Sequence, residues 1–165
     1  MSEEPYEIIL CNVCEKPLLK KFEKRVEIVN PYHEVTIITI NKFDYGYEDI
    51  KAYLCDDCYR DFNNLKAEIF GKLRQKAVVY DIEGVDYIDL FVWSIESLFR
   101  LVEGKDISKP KEGSMYMYKY HRWFHGIEIH MISPIGIMRL LLPYTVLLNE
   151  LKLRIRKKIG KNEGL

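Results

Sequence analysis

Four cysteines are the side chains of this sequence best able to do chemistry. They form two identical pairs, Cys11-Asn12-Val13-Cys14 and Cys55-Asp56-Asp57-Cys58, with forty residues between them. Two residues between thiolates let both sulfurs turn onto one ion, and two such pairs complete a tetrahedron. The expected occupant is one Zn²⁺ held by Cys11, Cys14, Cys55 and Cys58, with no cysteine to spare. Four thiolates also suit iron–sulfur chemistry, and disulfides or a redox-active pair are the remaining alternatives. Disulfides require an oxidising compartment, and a thioredoxin-type motif uses one pair and leaves the other unexplained. A metal with all four positions filled by protein has no place for a catalytic water, so its role is structural.

A second set of groups lies towards the C-terminus. Met115 to Arg122 alternates, with Tyr116, Tyr118 and Tyr120 on one face, and His125-Gly126 reads as a two-residue turn. In that register His121 faces His130 and Trp123 faces Glu128, which gathers His121, Glu128 and His130 on one face. A metal-dependent hydrolase or nuclease could use such a trio, but an ordinary cross-strand histidine pair is the simpler reading. The tyrosine row reads either as a base-stacking platform or as an amphipathic lining between the hairpin and a helix; the second is favoured. Further on, Lys152, Arg154, Arg156, Lys157, Lys158 and Lys161 form a basic stretch able to meet phosphates, with Arg122 and Lys119 as additional candidates.

Several elements must position these groups. Glu7 to Leu10 reads as a strand entering the first cysteine pair, and Cys14-Glu15-Lys16-Pro17 leaves it as a tight knuckle. Phe22 to Val29 and Val35 to Ile40 are β-rich, joined through a hairpin-like region at Asn30-Pro31-Tyr32-His33. After the second pair the period changes: Cys58, Phe62, Leu65, Ile69 and Leu73 recur at three and four, one face of a helix running to about Lys76. Asp56 and Asp57 fall in its first turn, where carboxylates complement the helix dipole. Knuckle, hairpin and a helix that begins on the second ligand pair resemble the treble-clef zinc finger, over residues 7–76. That resemblance implies a scaffold shared by nucleic-acid binders, interaction modules and some nucleases, and it does not choose among them.

In the remainder, Val85, Ile88, Phe91, Val92, Ile95, Leu98, Phe99 and Val102 fit one apolar stripe and predict a helix over 85–103, with Asp86 and Asp89 in its first turns. A polar loop follows at Gly104 to Ser114, then the hairpin over 115–132. Ser133-Pro134 reads as a helix start, and Ile137, Leu140, Leu141, Tyr144, Leu147, Leu148 and Leu151 continue a helical spacing over 134–159, kinked or restarted at Pro143. The expected fold is α+β: a treble-clef-like zinc module (knuckle, β-hairpin, helix) over 1–76, packed as one compact unit with a helix–β-hairpin–helix region over 77–165.

Composition bounds the function. The 165 residues carry 25 basic and 25 acidic side chains, and 48% are hydrophobic, which excludes general disorder. The acidic start Met1-Ser2-Glu3-Glu4-Pro5 lacks the positive charge of an export signal, and no apolar run is long enough to span a bilayer, so an intracellular chain with no membrane partner is expected. A single glutamine beside many charged residues fits a thermophilic source. Overall neutrality hides a polarity: residues 115–165 carry nine basic and three acidic side chains, while residues 77–114 carry four and eight. The expectation is therefore a small zinc-stabilised nucleic-acid-binding or regulatory protein, with DNA or RNA on the basic C-terminal segment. The alternative is a protein-interaction or assembly module with a protein partner or self-association.

Overall fold

A computed structural model of the chain describes residues 4–40, 47–87, 90–92, 94–103, 115–116, 122–133 and 136–163. It is a mixed fold with three helices and three small sheets among the described residues. The first sheet pairs β1 (Glu7–Leu10), β2 (Pro17–Lys21) and β3 (Val26–Ile28), all antiparallel. The second is the two-stranded ribbon of β4 (Tyr32–Ile40) and β5 (Tyr47–Cys55), in register from Tyr32 opposite Cys55 to Ile40 opposite Tyr47. Asn30-Pro31-Tyr32-His33 is thus no hairpin turn. Strand β3 folds back on β2, and the true partner of β4 is β5, where Ile50, Ala52 and Leu54 alternate with Asp49, Lys51 and Tyr53.

Helix α1 (Asp56–Leu73) follows β5 directly and buries Cys58, Phe62, Leu65, Ile69 and Leu73, the stripe its spacing predicts. Asp56 and Asp57 lie in its first turn and Lys72 in its last, each complementing the helix dipole.

The chain beyond α1 departs from its apparent helical period. The third sheet runs in the order β6 (Ala77–Tyr87), β9 (Arg122–Ser133), β10 (Gly136–Pro143), β7 (Leu90–Val92), β8 (Met115–Tyr116). The helix expected over 85–103 shrinks to α2 (Ile95–Val102), started by Ser94, whose hydroxyl accepts from the Ser97 amide at 3.0 Å. The residues before it are β-branched and aromatic, and they are taken up by β6 and β7. Asp86 is accordingly a strand residue opposite Trp123, and Asp89 lies outside the described residues. The irregularity between Glu83 and Val85 sits at Gly84, whose φ of 76° only glycine adopts freely.

The hairpin at His125-Gly126 is also corrected. Strand β9 continues straight through these residues, with Gly126 paired to both Ile82 and Pro143. It is a central strand flanked on both sides, which an interior turn would break. The chain reverses between Ser133 and Gly136, where Gly136 has a φ of 121°. Residues 136–143 of the helix expected over 134–159 are therefore a strand. Met138 and Leu140 to Leu142 are all buried, the near-continuous apolar run of a strand covered on both faces. Helix α3 (Tyr144–Glu163) starts only after Pro143. Of the expected 115–132 hairpin, residues 117–121 lie outside the described residues, among them Lys119 and His121.

One buried cluster includes residues from both sides of position 76. Phe62, Leu65 and Ile69 of α1, Ile127 and Ile129 of β9, Leu140 of β10, Leu98 of α2 and Leu147 and Leu151 of α3 all belong to it. The Phe62 ring meets the Tyr144 ring edge-on at 5.3 Å. Arg154 of α3 bonds Glu68 of α1 at 3.3 Å and Glu150 on its own helix at the same distance. Burial pushes the Glu68 carboxyl up, but Arg154 and Lys72 outweigh it and hold its pKa below the usual range. No described helix is long and apolar enough to cross a membrane.

The two faces of β9 give a direct test of its burial pattern. Ile129 is fully buried and Ile132, three residues on, is 85% exposed. Ile129→Ala should cost about 2–5 kcal/mol in chemical denaturation, and Ile132→Ala less than about 0.5 kcal/mol.

Candidate metal centre

The four cysteines converge although two chain segments supply them. The knuckle brings Cys11 and Cys14 to one side: the Cys11 amide donates to the Lys16 carbonyl at 2.8 Å, and the Glu15 amide to the Cys11 carbonyl at 3.0 Å. Closing so tight a loop sends Glu15 into the left-handed region, with φ 67°. The knuckle docks on the ribbon through the Asn12 amide, which donates to the Tyr53 carbonyl at 2.8 Å. On the other side β5 delivers Cys55 as the N-cap of α1, and the first turn of that helix carries Cys58 inward.

The four sulfurs all lie within 4.8 Å of one another, and Cys14 Sγ and Cys55 Sγ are 3.7 Å apart. A tetrahedron of sulfurs at the usual zinc–thiolate distance of about 2.3 Å has edges of about 3.8 Å, so this spacing fits a single ion. It is too close for a polynuclear iron–sulfur cluster, whose four cysteines are spread over two or four irons. None of the four is joined in a disulfide. They are positioned to bind a metal ion.

The surroundings suit sulfur anions. The Cys55 amide donates to Cys11 Sγ and the Cys58 amide to Cys55 Sγ, both at 3.4 Å. Burial raises the Cys11 pKa, but the amides of Cys14, Cys55 and Val13 together bring it down to about 7. Burial pushes the Cys58 thiol well up, reinforced by the neighbouring cysteines, and Cys14 is raised chiefly by burial as well.

Beside the cysteines sits a group with no signal in sequence spacing. His33 Nε2 lies 2.7 Å from Asp56 Oδ1, and its ring stacks on Tyr59 at 4.1 Å, clamping β4 to the first turns of α1. A polar cleft of about 190 Å³ lies further along, lined in part by Glu34, Lys66, Glu83, His125 and Tyr144. Two of its lining residues meet Asp81, which accepts from the Tyr144 hydroxyl and pairs with Lys66 at 2.9 Å. Burial, followed by that hydrogen bond to Asp81, raises the Tyr144 pKa.

The remaining sequence candidates are dispersed. Glu128 and His130 share one face of β9, but the expected pairing of His130 with His121 does not occur: His130 faces Arg139 and Val78. Glu128 is buried and bound to Arg139; His130 Nε2 is 3.1 Å from the same carboxylate without hydrogen-bond geometry. A cation thus already occupies the carboxylate that the hydrolase reading needs. Among the described residues the cysteines are the only group arranged to hold a metal. Of the basic candidates, Arg156, Lys157 and Lys158 are exposed on α3, Lys152 is half-buried, and Arg154 bridges α1 and α3. Arg122 lies in β9 opposite Tyr87, and Lys161 in the last turns of α3.

Comparison with known proteins yields no relative: no protein-family model matches, and neither does any curated protein or solved structure.

Two outcomes follow from this geometry. Cys58→Ser removes a buried ligand; elemental analysis should find the metal lost, and thermal melting should show the helix signal collapsing at lower temperature. Glu15→Gly relieves the left-handed strain and should raise the unfolding free energy of the metal-loaded protein by up to about 1 kcal/mol in denaturant titration, whereas Glu15→Val should lower it by about 1–2 kcal/mol.

Proposed function

We propose that this chain is a small zinc-stabilised nucleic-acid-binding protein of a reducing compartment, its cysteine module a treble-clef finger. Zn²⁺ is the usual single ion of a closed Cys₄ site. The treble-clef reading is supported by the order of the parts: a knuckle carrying Cys11 and Cys14, then the β4–β5 ribbon, then α1 with Cys55 at its cap and Cys58 in its first turn. Strands β2 and β3 add a small sheet between knuckle and ribbon. Ligand roles follow from position, with Cys11 and Cys14 holding the knuckle to the metal and Cys55 and Cys58 holding the helix.

The observation that carries the nucleic-acid reading is the row Arg156-Lys157-Lys158 on α3. All three are exposed, and none forms an ion pair among the described residues. Cations near a helix C-terminus complement its dipole, and one or two would be explained that way. Three consecutive side chains fan about 200° around the helix axis, wider than the dipole requires and suited to a curved polyanion. Arg154 contributes less, because Glu68 and Glu150 already hold its guanidinium.

Anisotropy titration against labelled DNA and RNA tests this. Binding should be present at low salt and weaken with a log–log slope of about −3. Replacing Arg156, Lys157 and Lys158 together by glutamine should flatten that slope by about 3 and weaken all sequences alike, while metal content stays unchanged. Absence of binding to either polymer at low salt contradicts the proposal.

A further inference from the structure

Strand β6 is the outermost strand of the five-stranded sheet and, at 11 residues, nearly the longest in the molecule. Strand β9 pairs with one of its edges, and among the described residues no strand pairs with the other. Bare edges are hazardous, and folded proteins blunt them with proline, inward charge or very short strands. The first half of β6, Ala77-Val78-Val79-Tyr80, has none of these devices. Val78 is 54% exposed and Tyr80 46%, both on the outward face, and an open groove of about 310 Å³ lined by Phe70, Arg74 and Ala77 to Val79 runs beside the strand.

The charge order along this edge is self-complementary. Arg74 and Lys76 precede the strand; Asp81 and Glu83 lie within it. Arg74, Lys76 and Glu83 are exposed and make no ion pair among the described residues, whereas Asp81 is engaged by Lys66 and Tyr144. When such a strand meets a second copy of itself antiparallel, the basic end of each meets the acidic middle of the other.

We propose that β6 is a self-pairing edge: two copies of this chain join β6 to β6 antiparallel about a two-fold axis near Val79, extending the sheet across the dimer. In this register Val78 of each copy faces Tyr80 of the other, an aromatic–β-branched cross-strand pair made twice. Glu83 comes beside Arg74 and Lys76 of the partner copy, also twice. The pairing is closed, so it consumes both bare edges and stops at two chains. It draws on different residues from the polyanion reading and does not depend on it.

Sedimentation equilibrium of the full metal-loaded chain tests the inference. A monomer–dimer equilibrium is expected across the micromolar range. Glu83→Lys alone should weaken it at least about tenfold, because two attractive contacts become repulsive. The double variant Arg74→Glu with Lys76→Glu should do the same. An equimolar mixture of the two variant proteins should associate more tightly than either alone, which also shows that both are folded. A chain monomeric at every concentration overturns the proposal and leaves the edge to an unrelated strand. So does a dimer that neither variant weakens, since its interface lies elsewhere.

Discussion

Four sulfur atoms within 4.8 Å of one another set the terms for the N-terminal half of this protein. Two unit charges about 4 Å apart repel by roughly 4 kcal/mol at the effective dielectric of a protein surface, so four thiolates cannot share this space alone. Without a cation some must stay protonated, which accords with the raised Cys14 and Cys58 and the lowered Cys11. With a divalent cation at the centre the same closeness becomes cohesive, and the free energy of binding is available to folding. Apolar burial there comes from Leu18, Leu19, Val35 and Leu54, while the three-stranded sheet leaves Ile8, Leu10, Val26 and Ile28 exposed.

The constraint passes outward through α1. Its first residues are bound to the cysteine cluster through Cys55 and Cys58, and the stripe from Phe62 to Leu73 is buried in the common core with β9, β10 and α3. Fixing one end of this helix therefore fixes the surface on which the C-terminal half packs. The Glu68–Arg154 bridge and the Phe62–Tyr144 ring contact then join α1 to α3, whose far end displays the exposed cations. Metal, core and basic tip thus lie along one connected path.

The parts legible in the sequence were those with a local, unambiguous period. Two CxxC pairs specify a ligand set by spacing alone, and the stripe from Cys58 to Leu73 reads as a helix because most of the residues between are charged or polar. Residues 77–143 misled for the opposite reason. Val85, Ile88, Phe91 and Val92 satisfy a helical spacing, but they stand in a run so rich in β-branched and aromatic residues that strand pairing prevails. His125-Gly126 has turn chemistry, yet neighbours on both sides of β9 hold the chain extended. Strand β5, not among the expected elements, does carry a local signal in the alternation of Ile50, Ala52 and Leu54. The Asp81–Tyr144 and Glu68–Arg154 contacts span 63 and 86 residues, and separations of that kind leave no local trace.

The proposal that one zinc ion is held by Cys11, Cys14, Cys55 and Cys58 can be checked at the metal itself. X-ray absorption at the zinc edge of the purified chain measures it most directly. Four sulfur scatterers at about 2.3 Å, with no nitrogen or oxygen in the first shell and one zinc per chain, are predicted. A shell with fewer than four sulfurs, or iron in place of zinc, would contradict the account.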